Sequence, residues 1–268
     1  MKALMSINWK FMNVIPSELV TFIKNNSKYC QGIEINIDYN KPNEVSYLKE
    51  LAFVCKKEDF HLQIHANSNL DIDKQLEYMH MLESLSDMLD YKINVVLHSI
   101  YDDIVEESIH KTIDYLNQVL DNVDNNKLTI TLENLNSLHK EYRLNKHDIT
   151  EIILNDDRLF FTYDIGHDLI ENGGITDIDE YLVKEIANVH IHTYNYDSFS
   201  GCFDHKLIFK DDPHWNQLLK GIQFLKINHY EGPIVYEYAL DFCIGYSIYD
   251  KMKYFLSSLD YVHERFDK

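Results

Sequence analysis

Short apolar runs alternate along the chain with longer segments whose apolar residues recur every three or four positions. The short runs predict β-strands and the longer segments predict amphipathic helices. The eight predicted strands span residues 3–8, 32–38, 61–66, 93–99, 128–134, 159–164, 188–193 and 233–238. Helical patterns lie between them, for example at 43–58 and 74–90, and a last one closes the chain at 246–266.

This alternation of strands and helices predicts an α/β fold. Parallel strands joined by right-handed helical crossovers are the usual result of such a pattern, and eight units in 268 residues predict a (β/α)8 TIM barrel. No Pro- or Gly-rich linker divides the sequence, so we expect residues 1–268 to form a single barrel domain. The longest insertion, at 194–214, follows the seventh strand and predicts a long active-site loop.

Polar residues share one face of the predicted strands. Side chains at alternate strand positions point the same way, so His190 and His192 lie on one face of their strand while Val189 and Ile191 lie on the other. A series of polar residues near the strand ends lies on the corresponding face of each strand: His65, His98, Glu133, Asp164, His190 and Glu237. Burying carboxylates without compensation is costly. Carboxylates and imidazoles that converge at the C-terminal mouth, where barrel enzymes place their chemistry, therefore predict a divalent metal site.

The composition limits the binding partners and the cellular compartment that we expect for this protein. The chain has 44 acidic and 25 basic residues, for a formal net charge of -19, which disfavours binding to nucleic acid or to an anionic membrane. Its four cysteines form no CxxC, so we expect reduced thiols and a cytoplasmic location. The N-terminus lacks the apolar region of a signal peptide and no apolar run reaches the length of a membrane span. Nothing in the sequence indicates an oligomeric state.

The ordered set IHAN, VVLHS, TLEN, YDIGH, VHIH, DH and VYEY resembles the xylose isomerase-like barrel superfamily. That group includes sugar isomerases and epimerases, and also apurinic-site nucleases of the endonuclease IV type. In the isomerase and epimerase branch, the resemblance implies one divalent metal ion (Mn, Mg, Co or Zn), with Glu133, Asp164, His190 and Glu237 as ligands. It also implies that Glu133 and Glu237 are the catalytic residues that move protons, and that His167 contacts the substrate.

The resemblance therefore implies a metal-dependent isomerase or epimerase of a small sugar, sugar phosphate or related polyol ketone. The metal ion would polarise the carbonyl of the sugar-like substrate and stabilise the enediolate formed by proton loss. Two carboxylates on opposite sides of the substrate can remove a proton from one face and return it to the other. We expect His192, one step nearer the mouth than His190, to contact the substrate or to support the metal ligands.

The nuclease branch is the main alternative, and it uses three zinc ions. His65, His98, His167 and His205 stand where that branch has further zinc ligands, so these residues bind either substrate or additional metal. Two departures from the pattern of the nuclease branch count against this alternative. The D-x-H pair of that branch needs Asp where this chain has Phe203, and Asp204 is one residue out of register. Ser68 stands where the nucleases have an aromatic residue that probes DNA. Whether the shift at Asp204 and His205 removes a metal site is left open. The third alternative is a non-catalytic barrel that binds a metal or a sugar.

Overall fold

A closed barrel of eight parallel strands forms the centre of the protein. The computed structural model describes residues 1–66, 70–136, 144–172, 178, 180–197, 201–240 and 245–267. The barrel strands are β1 (Ala3–Ile7), β2 (Cys30–Asn36), β3 (His61–His65), β4 (Ile93–Leu97), β5 (Leu128–Glu133), β6 (Leu159–Asp164), β7 (Ile186–Ile191) and β10 (Ile234–Tyr236). Around the barrel their order is β1, β10, β7, β6, β5, β4, β3 and β2. The predicted fold class is confirmed.

Helices follow the strands and cover the barrel from outside. They are α1 (Pro16–Asn26), α2 (Pro42–Glu58), α3 (Ile72–Leu89), α4 (Val105–Leu120), α5 (Lys146–Ile153), α6 (Ile165–Asn172), α7 (Glu180–Lys184), α8 (Trp215–Ile227) and α9 (Ile248–Asp267), with a 3₁₀ turn at Trp9–Phe11. Local chemistry sets several of these ends. Pro16 and Pro42 begin α1 and α2, where a missing backbone N–H costs nothing. The side chains of Asp71 and Asn145 cap α3 and α5.

The apolar side chains of the strands form the hydrophobic core with the inner faces of the helices. Ile33 and Ile35 of β2 and Val189 and Ile191 of β7 are fully buried in it, as is Leu48 of α2. Cys30 and Cys55 are buried free thiols. In the described part of the chain no helix is long and apolar enough to cross a membrane.

The insertion after β7 differs from its prediction. It contains an antiparallel hairpin, β8 (Thr193–Asp197) and β9 (Gly201–Lys206), in place of a long loop. The predicted strand over 188–193 also ends early, because β7 stops at Ile191 and His192 lies at the corner between β7 and β8. At the end of the hairpin His205 has a positive φ of 53°, a conformation that non-glycine residues adopt at a cost and that is concentrated at functional sites.

Polar side chains occupy the barrel axis, as the strand parity predicted. Gln63 of β3 donates to Glu34 Oε2 of β2 at 2.5 Å and to Asn188 Oδ1 of β7 at 3.2 Å. Thr162 of β6 donates to Thr131 of β5 at 2.6 Å. All five side chains are fully buried, so these bonds replace the water that the polar groups lose on folding.

Candidate active site

The predicted site residues gather at the C-terminal mouth of the barrel in two adjacent groups. In each group every residue offers one nitrogen or oxygen atom, and these atoms lie within 4.8 Å of one another. Among the described residues, one group consists of His65, Glu133, His190 and Glu237 and is called the central cluster. The other consists of Asp164, His167, His192 and His205 and is called the His-rich cluster.

His190 is the middle of the central cluster. Its Nδ1 lies 3.0 Å from Glu133 Oε1 and 3.0 Å from Glu237 Oε2. Glu133 ends β5 and Glu237 follows β10, which are three positions apart around the barrel. The two carboxylates therefore reach the same nitrogen from different sides. His65 Nε2 completes the cluster at 3.2 Å from Glu133 Oε2.

Residues deeper in the barrel orient His190. Its Nε2 lies 3.1 Å from Glu34 Oε2, and a carboxylate oxygen there accepts the Nε2–H. A cation bound at Nδ1 would leave the Nε2–H donating to Glu34, which is the arrangement that metal-bound histidines use. Glu34 lies on the opposite face of β2 from Ile33 and Ile35, as the period of two along the strand requires. Its contact with His190, 156 positions away in the chain, is visible only in the folded structure.

His98 adjoins the central cluster. Its Nε2 lies 3.0 Å from Glu133 Oε2 and 3.2 Å from His65 Nε2. Glu133 is thus contacted by His65 and His98 through one oxygen and by His190 through the other.

The His-rich cluster is built at the junction of β6 and α6. Asp164 is the last residue of β6, and its Oδ1 accepts the backbone N–H of His167 at 2.7 Å. His192 Nε2 lies 3.1 Å from the same oxygen. The ring of His205, on β9, stacks on that of His192 with centroids 4.2 Å apart.

Asp164 lies between the two clusters. Its Oδ2 is 3.8 Å from His190 Nδ1 and 3.6 Å from His167 Nδ1. The four ligands predicted for one metal are therefore neighbours, but Asp164 groups more closely with His167 and His192 than with Glu133 and Glu237. The assignment of Glu133, Asp164, His190 and Glu237 to one ion stays a prediction.

Asn134 supports both Asp164 and His167, and strand parity did not indicate it. Its Oδ1 accepts the backbone N–H of Asp164 at 2.8 Å, and its Nδ2 donates to the Asp164 carbonyl at 3.0 Å. Its own carbonyl lies 2.8 Å from His167 Nδ1. Its position directly after the catalytic candidate Glu133 is the signal that points to it.

Burial and charge act against each other in both clusters. Burial alone would raise the pKa of Glu133 and of Glu237, but the neighbouring histidines hold the pKa of each carboxylate well below its usual range. For Glu133 the strongest of these influences is His190. For Glu237 it is His205, followed by His190. Burial likewise opposes a charge on His190, yet Glu34, Glu133 and Glu237 raise its pKa well above the usual value. Burial lowers the pKa of His167 to about 4, so this histidine is neutral near pH 7.

The donor set fits a divalent cation. Asp164 and Glu237 bring buried carboxylate oxygens to the same region as Glu133, and several carboxylates together in the interior are costly unless positive charge compensates them. Carboxylates and imidazoles that converge on a shared space are the ligands that Mn²⁺, Co²⁺ and Zn²⁺ accept.

A cavity of about 380 Å³ opens beside these clusters. Glu237 and His205 line its inner side, and Asn8, Lys10 and Lys251 are among the residues of its walls. Its volume lies within the usual range for small-molecule sites.

A comparison with known protein families identifies the family to which this chain belongs. The family described as "Xylose isomerase-like TIM barrel" matches residues 30–242. The chain belongs to this family. None of the curated proteins matches the chain.

Solved structures share the fold at low sequence identity. Similar structures include the IOLI protein with a bound zinc atom (17% identity, TM-score 0.69, all of both chains covered). Another is 3-keto-D-glucoside 4-epimerase from E. coli (15% identity, TM-score 0.68, covering 98% of this chain and 99% of the epimerase). A third is D-psicose 3-epimerase with D-tagatose from Clostridium cellulolyticum H10 (13% identity, TM-score 0.67, 99% of both chains). At these identities the likeness establishes the fold.

Proposed function

We propose that the protein is a divalent-metal-dependent isomerase or epimerase of a small sugar, sugar phosphate or related polyol ketone. The observation that carries the proposal is the placement of Glu133 and Glu237. Both lie 3.0 Å from His190 Nδ1, at the ends of β5 and β10, which are three positions apart around the barrel. A substrate bound among them would have a carboxylate on each side, as proton removal from one face and return to the other requires.

The chain's own residues supply orientation and proton transfer. Glu133, His190 and Glu237, with Asp164 nearby, would hold the ion, which would polarise the carbonyl and stabilise the enediolate. Glu237 faces the cavity, so it is placed to exchange a proton with a substrate carbon from that side. Glu133 is almost fully buried and would act from the opposite side. His65 and His98 hold the Glu133 carboxylate in place at 3.2 and 3.0 Å.

The similar structures support this substrate class. Two of the similar proteins are named as sugar epimerases, one of them crystallised with D-tagatose, and a third holds a zinc atom. A sugar-like ketone also suits a cavity of about 380 Å³ with mixed polar walls.

The test is exchange of a substrate proton with solvent. The purified protein, loaded with Mn²⁺, is incubated with a panel of ketoses in D₂O, and deuterium at the carbon beside the carbonyl is followed by NMR. The wild type should exchange with at least one ketose. Glu133→Gln and Glu237→Gln each keep an oxygen donor but lose the base, so the exchange rate should fall by about 10²–10⁴-fold.

Glu231→Gln is the matched control, because Glu231 is exposed and outside the site. It should exchange at the wild-type rate. Full exchange in both Glu133→Gln and Glu237→Gln would rule out the two-carboxylate mechanism. Metal and sugar binding without exchange in the wild type would favour a non-catalytic binding barrel.

A three-zinc phosphodiesterase is the second candidate, and one contact favours it. His98 and His65 lie 3.0 and 3.2 Å from the same oxygen of Glu133, the arrangement that the nuclease branch implies for an additional zinc. Against it, Phe203 occupies the D-x-H aspartate position with a side chain 51% exposed, and the net charge is -19. Ser68 lies outside the described residues. Cleavage of a duplex with an abasic analogue by zinc-loaded protein would support this candidate, and intact duplex would exclude it.

A further inference from the structure

We propose that Lys251 and Lys10 select a substrate that carries a negatively charged group, a phosphate or a carboxylate, at the end remote from its carbonyl. Both lysines line the cavity that Glu237 and His205 border on its inner side. This inference rests on the proposed function, because it takes the reacting end of the substrate to lie at Glu237 and assigns the other end to the lysines.

The charge of the cavity wall differs from that of the protein as a whole. The chain has 44 acidic and 25 basic residues, so a wall of average composition would carry more carboxylates than ammonium groups. Among the described residues that line this cavity, Lys10 and Lys251 are the lysines and Glu237 is the one acidic residue. Glu237 belongs to the central cluster, so the ammonium groups face no carboxylate from the rest of the described wall.

The first turn of α9 holds Lys251 at the cavity. Lys251 lies three residues after Ile248, which lines the same cavity, and residues three apart share one face of a helix. The next residue, Met252, is fully buried in the core, which fixes the rotation of the helix. Lys251 is half-buried, and among the described residues no carboxylate forms an ion pair with its ammonium group.

Lys10 reaches the cavity from the connection that follows β1. The Asn8 side chain accepts the backbone N–H of Lys10 at 3.1 Å and caps the 3₁₀ turn at Trp9–Phe11. Phe11 is buried and anchors this turn in the core. Because α9 packs against β1, the two lysines approach the cavity from neighbouring elements.

An anionic group on the substrate matches the charge of this wall. A half-buried ammonium group has lost part of its water, and an opposite charge compensates that loss. Hydrogen bonds between charged partners are also roughly twice as strong as those between neutral ones. The formal net charge of -19 repels anions from the protein surface, so positive groups at the cavity are what would let an anionic substrate bind.

The depth of the residues orients the substrate. Glu133 and His190 are almost or fully buried at the barrel axis, whereas Lys10 and Lys251 are half-buried and belong to elements outside the barrel strands. A ketose whose carbonyl lies at the central cluster would therefore extend its far carbons toward the lysines. This arrangement favours a ketose phosphate or a keto sugar acid over the corresponding neutral sugar.

Selectivity in proton exchange tests the proposal. Manganese-loaded protein in D₂O is given D-ribulose with D-ribulose 5-phosphate, and D-fructose with D-fructose 6-phosphate and D-fructuronate. We expect kcat/KM for exchange of an anionic compound to exceed that of its neutral partner by about 10–100-fold, as hydrogen bonds to charged groups allow. The comparison of D-fructose 6-phosphate with D-fructuronate distinguishes a phosphate from a carboxylate. Equal values for the neutral and anionic compounds would overturn the proposal.

Variants of the two lysines test whether they cause the selectivity. Lys251→Gln and Lys10→Gln should each lower the ratio of anionic to neutral kcat/KM by about 10-fold, mainly through a higher KM for the anionic compound. Lys251→Glu should lower the ratio further. Lys253→Gln, at an exposed position on the same helix, is the matched control and should keep the wild-type ratio. If the metal ion binds the anionic group instead, the ratio stays unchanged in the lysine variants and the proposal is wrong.

Calorimetric titration with polyols separates a failure of this proposal from a failure of the proposed function. Xylitol, xylitol 5-phosphate and xylonate have no ketone, so their binding can be measured even if the protein exchanges no ketose proton. Binding of the phosphate or of xylonate that is about 10-fold tighter than that of xylitol, with the difference lost in Lys251→Gln, would support the proposal. Equal affinities for the three compounds, or a difference that Lys251→Gln retains, would overturn it.

Discussion

At the scale of single residues, two histidines from one strand reach different surroundings. His190 points its Nδ1 at Glu133 and Glu237, whereas His192 Nε2 lies 3.1 Å from Asp164. The parity of β7 predicted that they share a face, and both are fully buried at the mouth. What separates them is the end of β7 at Ile191, because beyond it the chain no longer follows the direction of the barrel strand.

The residue-scale prediction concerns Glu34, which holds the far nitrogen of His190. Glu34→Gln keeps the shape of the side chain but weakens the acceptor that fixes Nε2–H and polarises the ring. We expect Mn²⁺ affinity at the central cluster to fall by about 10–100-fold, measured by calorimetric titration. Glu50→Gln, on the exposed face of α2, should leave the affinity unchanged. Unchanged affinity in Glu34→Gln would show that Glu34 does not support the metal ligand.

At the scale of elements, the packing of neighbouring strands depends on Gly32 in β2. A Cβ at this position would lie 2.5 Å from Leu4 Cδ2 and 2.6 Å from the backbone carbonyl of His61. A side chain can rotate away, but a carbonyl of β3 can move only if the strand moves. Glycine is therefore required where β1, β2 and β3 approach one another.

Gly32→Ala should lower the free energy of unfolding by about 1–3 kcal/mol, the usual cost of overpacking a core. Urea denaturation measures the change. Gln31→Ala is the control in the same strand, because Gln31 is exposed and its truncation should change the stability by less than about 0.5 kcal/mol. Equal stabilities for the two variants would contradict the close approach.

At the scale of the whole molecule, His61 links stability to pH away from the metal ligands. Its ring stacks on Tyr91, with centroids 4.9 Å apart. Burial, and to a lesser extent the charge of Lys2, lower the pKa of His61 to about 4. The unfolded chain, with an ordinary histidine pKa, binds this proton more readily as the pH falls below about 6.5. The contribution of the neutral His61 to the free energy of unfolding is therefore complete above that pH and is lost as the pH decreases toward 4.

Between pH 7 and pH 5, His61 should account for a loss of roughly 2 kcal/mol in the free energy of unfolding. Urea denaturation of wild type and His61→Gln at both pH values isolates this contribution, since the glutamine does not titrate. The variant should lose less stability than the wild type over that interval. His110→Gln on α4, whose histidine is exposed, should retain the wild-type pH dependence. The same loss in His61→Gln as in the wild type would refute the assignment.

The sequence by itself determined the fold and the chemical character of the site. The alternation of strands and helices specified the barrel, because each element must bury one apolar face. The period of two in each strand placed Glu133, Asp164, His190 and Glu237 at the mouth, because barrel strands end together there.

Only the tertiary structure decided how these residues group. Periodicity gives the direction of a side chain from its own strand, but the distance between atoms on different strands depends on register, strand ends and the connections beyond them. The β8–β9 hairpin and the positive φ of His205 bring His205 against His192. The immediate start of α6 after Asp164 places His167 beside them. Closure of the barrel, which no local pattern encodes, brings Glu34 of β2 across the axis to His190 of β7.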